Sequence, residues 1–294
     1  MGRTAIFFGL SSGRSGSKTL AKTLSQSPDC ACLHHPSPQL ILEATEYYCG
    51  EFSEDVLANV LRLTRPIRDD VRHCGEVNLQ LSLIVPLLKE VFPDCKFVWL
   101  TRDGRGAVAS MYYRGWYRPR EVSNLGIWDA ARLQGDRTHD FSATAWSRLE
   151  PFERCCWIWK KYNSVIEEEL SLLSGDRWMR VTLEKLDTSI ASLASFLRIT
   201  PPDQFIVEQS NSRLQPVIAW QEWSTRHRSQ FDAICGDDMD RWYPDWRSAE
   251  GEWRRVETDR VSSKPTENRN GVIFELRHKA MRGLNKLATW VDPW

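Results

Sequence analysis

Short apolar runs alternate along this chain with longer segments of helical periodicity. Ala5–Phe8, Phe97–Leu100 and Trp178–Leu183 have the length and composition of buried strands. The first two runs are each followed by a polar turn and then by a helix-like pattern. This alternation predicts an α/β fold in which helices flank a central parallel sheet on both faces.

The helical segments carry apolar residues at intervals of three and four. The most regular is Phe152–Leu173, whose apolar stripe lies opposite a charged face. The other predicted helical segments are Gln39–Leu63, Leu79–Val91, Ala107–Tyr113, Ser189–Leu197, Gln230–Trp242 and Phe274–Trp290.

The segments between these elements are predicted to be less regular. Leu33–Pro38 is expected to be extended or turned because of its prolines, and His73–Asn78 to be a strand edge or a loop. Arg118–Pro151 is polar and mixed in charge, which indicates a long excursion that could serve as a substrate lid. Glu257–Gly271 is a predicted loop.

Length and composition indicate an ordinary globular protein. The 294 residues, 41% hydrophobic and 27% charged, predict a single domain over 1–294, with a core at about 4–245 and a Trp-rich, helical extension at 246–294. Lys plus Arg and Asp plus Glu are 39 each, so no overall field attracts nucleic acid or an anionic membrane. Any anion must therefore be bound by locally placed Arg and Lys.

Location and metal content are also predicted from the sequence. Neither a secretory signal nor an apolar run long enough to span a membrane is visible, so a cytoplasmic protein with reduced thiols is expected. The cluster Cys30–His35 has no matching second pair of ligands, and no metal site is expected. The tryptophans of Trp220–Trp253 are expected to pack in the core or a lid, or else to form an aromatic wall for an acceptor.

The candidate chemistry begins in the loop Gly9–Gly16, between the first strand and the first helix. A strand, a loop of small residues and a helix N-terminus direct free backbone amides at one concavity, which suits phosphate or sulfate. A nucleoside-triphosphate loop would have Lys directly after its last Gly, but here Ser17 follows Gly16 and Lys18 comes one residue later. The second strand ends in Thr101-Arg102 instead of a magnesium-binding Asp. These residues favour binding of phosphate groups without magnesium.

Two motifs resemble those of sulfotransferases that use 3′-phosphoadenosine-5′-phosphosulfate (PAPS). G-R-S-G-S-K-T-L resembles their 5′-phosphosulfate loop, and F-V-W-L-T-R-D-G-R-G-A-V-A-S-M-Y resembles their 3′-phosphate motif. R-V-T-L-E-K-L and F-D-A-I-C-G-D-D-M-D-R-W-Y resemble further elements of bacterial members. The resemblance covers about residues 4–245 and implies a P-loop-like α/β sulfotransferase fold.

The resemblance also implies roles for particular residues. Arg14 occupies the position that faces the transferring sulfonate and its bridging oxygen, and Arg102 and Ser110 have the spacing that grips the 3′-phosphate. The amides and hydroxyls expected at the 5′-phosphate belong to Ser15, Gly16, Ser17, Lys18 and Thr19. Lys18 departs from the small or hydroxyl residue common there and either adds a cation at the leaving phosphate or points to solvent.

Transfer to an acceptor also requires a general base, for which three residues are candidates. His34 and His35 lie in L-H-H-P, where related bacterial proteins have a segment resembling H-E-P. Glu76 lies in G-E-V-N, although the Lys often found beside it in the family is Val77 here. A histidine of this pair is preferred because its ordinary pKa suits the task at neutral pH.

The resemblance therefore implies an enzyme that moves the sulfonate of PAPS to a hydroxyl or amine and leaves adenosine 3′,5′-bisphosphate. The acceptor is expected to be a small molecule, with a carbohydrate as the alternative, and neither a metal nor a nucleic-acid or membrane partner is expected. The alternatives are a kinase-like P-loop phosphotransferase and a nucleotide-binding protein without turnover.

Overall fold

The computed structural model describes residues 4–119, 126–208 and 219–248. Five strands form one sheet in the order β2-β3-β1-β4-β5, and every neighbouring pair is parallel. The strands are β1 (Ala5–Leu10), β2 (Cys30–His34), β3 (His73–Val77), β4 (Lys96–Thr101) and β5 (Trp178–Thr182). The predicted central parallel sheet is confirmed.

Helices occupy most of the described chain between the strands. The α-helices are α1 (Ser17–Leu24), α2 (Ile41–Tyr48), α3 (Glu54–Thr64), α4 (Val85–Val91), α5 (Gly104–Tyr113), α6 (Ile127–Ala130), α7 (Ala143–Arg148), α8 (Pro151–Ser171), α9 (Leu186–Leu197) and α10 (Thr225–Trp242). Short 3₁₀ helices cover Leu79–Leu83, Leu183–Lys185 and Trp220–Glu222.

The longest helix, α8, begins where the sequence supplies start signals. Pro151 stands in its first turn, and Glu150 and Glu153 form a reciprocal capping box. This arrangement satisfies amides that have no partner inside the helix. Trp159 and Tyr162 on its apolar stripe are buried, as the helical periodicity predicts.

Helices cover both faces of the sheet with separate apolar clusters. On one face, Leu20 of α1 and Leu193 of α9 pack against strand residues such as Phe7. On the other face, Trp159 of α8 and Phe231 of α10 belong to the larger cluster. The two clusters remove both faces of the central strands from water, which is why β1 and β4 read as continuous apolar runs.

Several local predictions need correction. Cys30–His34 is a strand, β2, although Cys and His give little β-signal. Cys30, Cys32 and His34 lie on one face of this strand; the two cysteines are buried, and His34 at the end of the strand is exposed. β3 lies between β2 and β1, so it is not at an edge of the sheet. The segment predicted as helical over Gln39–Leu63 forms α2 and α3, which are separated around Gly50.

The segment predicted as an irregular excursion is partly helical and partly buried. It contributes α6 and α7 and places Ala131, Leu133 and Trp146 in the core. Of the two roles predicted for the C-terminal tryptophans, core packing is the one that Trp223, Trp242 and Trp246 have, since they are at most 5% exposed. The described C-terminal tryptophans therefore stabilise the core.

The predicted loop Glu257–Gly271, the predicted helix Phe274–Trp290 and Trp253 lie outside the described residues. The single-domain assignment of 1–294 stays a prediction. In the ranges that the structure describes, every helix is too short or too polar to cross a bilayer.

The order of the strands determines where a ligand can bind. From β1 the chain crosses to β2 and β3 on one side, and from β4 it continues to β5 on the other. Connections leaving two adjacent strands in opposite directions open a crevice at the carboxyl ends of those strands. The residues at this crevice are those that follow Leu10 and Thr101.

Candidate functional site

A loop of small polar residues, Ser11–Gly16, follows β1. Hydrogen bonds within the loop and to the buried Ser82 hold it in place. Ser11 exchanges two hydrogen bonds with Ser82, each 3.0 Å long. The hydroxyl of Ser15 donates to the carbonyl of Gly13 at 3.0 Å and lies 3.4 Å from that of Ser12. Buried serine hydroxyls thus satisfy loop groups that cannot join the sheet or the helix.

Gly16 turns the chain into α1 with a left-handed backbone, φ 86°, and has no side-chain cap to offer the helix. A Cβ at this position would lie 2.4 Å from Leu183 Cδ1, so both backbone geometry and space require glycine. The first amides of α1 have no intrahelical acceptor, and no side chain at Gly16 caps them. Such an uncapped N-terminus favours an anion.

The loop and the end of β4 meet through two arginines and a serine. Arg14 Nε donates to Ser110 Oγ at 3.0 Å, and Arg102 Nη1 donates to the carbonyl of Arg14 at 3.0 Å. Ser110 is buried on α5, about one turn before the end of the helix at Tyr113. The residues expected at opposite ends of one ligand therefore touch each other, and the two predicted motifs form one cluster.

The cluster concentrates positive charge in a partly dehydrated place. Burial, and then the positive charges of Arg114 and Arg102, together lower the pKa of Arg14 to about 10. Burial also lowers the pKa of Arg102, against the opposing effect of Glu184 and nearby anionic groups. In the described ranges, neither Arg14 nor Arg102 forms an ion pair with a carboxylate, since Asp103 pairs with Arg105 at 2.7 Å. An anion at this cluster would relieve an existing electrostatic cost.

Beyond Arg14, the remaining loop residues occupy two kinds of position. Ser15 and Thr19 are buried, whereas Ser17 is half-buried at the start of α1. Lys18 is exposed to solvent, and its charge acts on His34, whose pKa is lowered to about 4 by burial and then by Lys18. Both roles of Lys18, as a cation at the leaving phosphate and as a solvent-facing residue, stay predictions.

The two candidate histidines lie at the end of β2 with different partners. His34 Nε2 lies 3.0 Å from Ser17 Oγ, which connects it to the loop. His35 has a positive φ of 49° and packs its ring at 4.3 Å from His34 and at 5.0 Å from Trp128, measured between ring centroids. Burial and then His34 lower the pKa of His35 to about 4. Both imidazoles are therefore neutral at pH 7.

Glu76, the third candidate base, is held in a buried ion pair. Its Oε2 accepts from Arg65 Nε at 2.5 Å and its Oε1 from Arg65 Nη2 at 3.1 Å, with both side chains at most 3% exposed. Asn78 Nδ2 donates to the same Oε1 at 3.3 Å, and Arg65 donates to the carbonyl of Pro38 at 3.0 Å. The carboxylate is thus surrounded by donors that hold the chain near the histidines.

A small cavity is lined by two tryptophans, of which Trp116 contacts the loop and Trp128 contacts His35. Its volume is about 160 Å³, and its walls include Trp116, Trp128, Ala131 and Arg132. A Cβ at Gly13 would lie 3.0 Å from Trp116 Cη2, so this indole contacts the loop directly. Neither indole was singled out from the sequence; the dense aromatic run after the second motif, M-Y-Y-R-G-W-Y, is the signal that could have identified Trp116.

The structure also shows positions that the sequence did not identify. Arg114 contributes charge at Arg14, and Arg65 pairs with Glu76; neither has a recognisable motif of its own. Over the described parts of the chain, no group of three His, Cys, Asp or Glu side chains could hold a metal ion.

Comparison with known proteins identifies the fold. No protein-family model matches the chain, and no curated protein matches its sequence. A sulfotransferase from Alicyclobacillus acidocaldarius aligns with a TM-score of 0.51 at 16% identity, over 87% of this chain and 100% of that one. A sulfotransferase domain from the curacin biosynthetic pathway aligns with a TM-score of 0.43 at 17% identity, over 68% of this chain and 76% of that one. A sulfotransferase from Mycobacterium avium aligns with a TM-score of 0.43 at 12% identity, over 83% of this chain and 78% of that one. The first likeness shows that this chain has the sulfotransferase fold.

Proposed function

We propose that this protein is a sulfotransferase that takes its sulfonate from PAPS. The observation that carries the proposal is the cluster of Arg14, Arg102 and Ser110 at the ends of β1 and β4. Its arginines have no carboxylate partner among the described residues, and burial lowers the pKa of both. An anionic ligand with more than one charged group supplies the compensation that these side chains lack.

The residues fit an adenosine donor that carries a 3′-phosphate and a 5′-phosphosulfate. Arg102 and Ser110 are assigned to the 3′-phosphate, and the amides from Ser15 to Thr19, at the start of α1, to the 5′-phosphate. Arg14 uses only Nε for Ser110, and its Nη groups form no hydrogen bond with the described residues. Arg14 is therefore assigned to the charge of the phosphosulfate, including the oxygen that leaves with the phosphate.

The side chains contribute mainly position and charge to this reaction. Sulfuryl transfer resembles phosphoryl transfer, in which preorganised donors stabilise charge that develops in the transition state. Arg14 and the α1 amides are held before reaction by the loop hydrogen bonds and by Gly16. They need little reorganisation when charge develops on the leaving oxygen.

We assign the general base to His35. Its ring contacts Trp128 on the wall of the cavity, and its lowered pKa leaves it neutral at pH 7. His34 is assigned to positioning Ser17 through its 3.0 Å contact. Glu76 is assigned a structural role because Arg65 holds both of its oxygens.

A ligand panel in a thermal-shift experiment tests this proposal. Adenosine 3′,5′-bisphosphate, without metal, is expected to raise the Tm; a 100-fold excess over Kd adds about 2.7 kcal/mol to the free energy of unfolding. ATP and magnesium-ATP at the same concentration are expected to raise it less.

The other outcomes separate the alternatives. Stabilisation by magnesium-ATP and none by the bisphosphate would identify a kinase-like phosphotransferase and reject the proposal. Stabilisation by the bisphosphate with no consumption of PAPS across a broad acceptor panel would identify a nucleotide-binding protein without turnover.

A further inference from the structure

The first turn of α5 places a carboxylate beside Arg102, the residue assigned to the 3′-phosphate. Asp103 is the N-cap of α5 and accepts a hydrogen bond from the Arg105 amide at 2.8 Å. The Arg102 guanidinium lies over the same turn, since a Cβ at Gly106 would be 3.1 Å from Arg102 Nε and 3.2 Å from Nη2. Burial lowers the pKa of Arg102, whereas the charges of Glu184 and Asp103 raise it. The Asp103 carboxylate therefore competes with an anionic ligand for this guanidinium.

Arg105 holds the Asp103 carboxylate by both of its oxygens. Its Nη2 donates to Oδ2 at 2.7 Å, and its Nε lies 3.1 Å from Oδ1 and 3.2 Å from Oδ2. The side chains of Arg105 and Asp103 are only 6% and 18% exposed. Such a forked ion pair is strong and directional, because the planar guanidinium matches the two carboxylate oxygens. The Asp103 oxygens are thereby bound to Arg105 and not to Arg102.

The C-terminal part of the described chain fixes Arg105 in turn. The Trp220 ring centroid lies 4.0 Å from Arg105 Cζ, and that of Trp246 lies 5.6 Å from it. Arg105 Nη1 also donates to the Trp246 carbonyl at 2.9 Å. Stacking on indole rings and this hydrogen bond restrict the orientation of the guanidinium. Contacts outside the anion-binding crevice therefore position the group that holds Asp103.

The pair with Arg105 reconciles two opposing demands on Asp103. A carboxylate at an N-cap stabilises the helix, because it accepts from free amides and interacts favourably with the helix dipole. The same charge opposes binding of an anion at Arg102. Glu184, the other carboxylate that acts on Arg102, accepts from the Asp103 amide at 3.0 Å and is exposed, so water screens its charge. Arg105 cancels the charge of Asp103 and leaves the cap intact.

We propose that Arg105 is a positioning residue of the donor site. By holding Asp103, it keeps the charge of Arg102 available to the 3′-phosphate. The inference rests on the proposed function, in which Arg102 binds that phosphate. Arg105 itself does not contact the ligand in this role and acts through Asp103 and Arg102.

A double-mutant cycle with two nucleotides tests the inference. Adenosine 3′,5′-bisphosphate and adenosine 5′-phosphate are titrated calorimetrically into the wild type, Arg105→Met and Arg105→Met/Asp103→Asn. Arg105→Met leaves the Asp103 charge to Arg102 and is expected to lower bisphosphate affinity by about 10-fold or more, with 5′-phosphate affinity unchanged within about 3-fold. The double variant is expected to return bisphosphate affinity to within about 3-fold of the wild type, because Asn still caps α5 but carries no charge.

Arg247→Met is the matched control for the loss of an arginine that stacks on Trp246. Arg247 Cζ lies 4.4 Å from the Trp246 ring centroid, and its Nε pairs with Asp240 at 3.0 Å. This variant is expected to keep both affinities within about 3-fold of the wild type.

Asp103→Asn alone keeps the inference testable if urea denaturation shows that Arg105→Met does not fold. This variant is nearly isosteric and retains the cap, so it is expected to fold. It is expected to bind the bisphosphate at least as tightly as the wild type, because a negative charge beside Arg102 has been removed. Weaker binding by Asp103→Asn would overturn the inference.

The outcomes separate this inference from the proposed function. A loss in Arg105→Met that is confined to the bisphosphate and is restored in the double variant supports the inference. Wild-type affinity in Arg105→Met, a loss of both nucleotides alike, or a loss that the double variant does not restore shows the inference to be wrong, while bisphosphate binding by the wild type leaves the proposed function standing. A wild type that does not bind the bisphosphate rejects the proposed function and this inference with it.

Discussion

At the scale of single residues, the arginines of the cluster incur an electrostatic cost in the free protein. Arg14 adopts a left-handed backbone, φ 55°, and brings its charge close to Arg102 and Arg114. Desolvated like charges destabilise a fold unless a ligand compensates them. Arrangements of this kind are common where proteins bind charged ligands, because function there opposes stability.

Glu76 provides a prediction that separates a structural role from a catalytic one. Glu76→Leu alone is expected to lower the free energy of unfolding by about 3–5 kcal/mol, because it leaves Arg65 buried without a partner. The double variant Arg65→Met/Glu76→Leu is expected to recover much of this loss, since apolar pairs of similar volume often replace buried ion pairs. Urea denaturation measures both values.

The same double variant tests the choice of base. Because Glu76 is assigned to structure, the double variant is expected to keep sulfonate transfer within about tenfold of the wild type. Loss of transfer by the double variant, with bisphosphate binding intact, would assign the base to Glu76 instead of His35.

The histidine pair predicts how stability depends on pH. The pKa of His35 is about 4 in the folded protein, below the ordinary value of about 6.5 that the unfolded chain has. Between these values the unfolded chain binds the proton and the folded protein does not, so stability is complete above pH 6.5 and falls as the pH falls toward 4. His35→Asn, which also accepts a positive φ, is expected to lose less stability between pH 7 and 5 than the wild type.

His139→Asn is the matched control for this measurement. His139 also has a positive φ, 61°, but it is exposed and lies outside the cluster. Its variant is expected to follow the wild-type curve. Identical curves of stability against pH for His35→Asn and the wild type would contradict the neutral, half-buried state of His35.

At the scale of elements, the turn from β1 into α1 positions the amides that the proposal uses. Gly16→Ala is expected to cost about 1–2 kcal/mol for the left-handed backbone alone, and more because Leu183 occupies the space. The double variant Gly16→Ala/Leu183→Ala removes the contact between the new methyl group and Leu183 and keeps the energetic cost of the left-handed backbone at position 16. Bisphosphate affinity is expected to fall in both variants, as titration calorimetry would show.

Wild-type affinity in Gly16→Ala/Leu183→Ala would indicate that the start of α1 does not contact the ligand. A urea midpoint equal to that of the wild type in Gly16→Ala would contradict the required positive φ at Gly16.

The elements that could be predicted are those with a strong local pattern. β1 and β4 are continuous apolar runs, and α8 has a complete amphipathic stripe with start signals at Glu150 and Pro151. β2 has little local signal because C-A-C-L-H shows no clear alternation of apolar and polar residues, and its burial depends on neighbouring strands and helices, which is a tertiary property. In α6 the sequence gives no signal that Trp128 would reach His35.

In the candidate site too, residues within a local sequence motif could be predicted and long-range partners could not. The resemblance of two motifs predicts roles for Arg14, Arg102 and Ser110, and the structure brings these three side chains together. The partner of Glu76 could not be predicted, because Arg65 is eleven residues away, just after the end of α3, and meets the carboxylate only through the tertiary fold. Long-range contacts of this kind carry no periodic signature in a single sequence.

At the scale of the whole molecule, the fold gathers positive charge at one place although the net charge of the chain is zero. With 39 cationic and 39 acidic side chains, the chain has no net field, yet the order β2-β3-β1-β4-β5 opens a crevice at the ends of β1 and β4 where arginines gather. Partly buried charges are screened little by salt. The affinity for an anion is therefore a property of this crevice and not of the surface as a whole.

The central claim is that this crevice recognises a 3′-phosphate through Arg102. The direct test is a cycle of titrations in which wild type and Arg102→Ala each receive adenosine 3′,5′-bisphosphate and adenosine 5′-phosphate, with exposed Arg148→Ala as the control. A charged hydrogen bond contributes about 1.5–3 kcal/mol, so the wild type and the control are expected to prefer the bisphosphate by roughly 10- to 150-fold. Arg102→Ala is predicted to lose most of that preference, and an Arg102→Ala protein that keeps the wild-type preference would contradict the account.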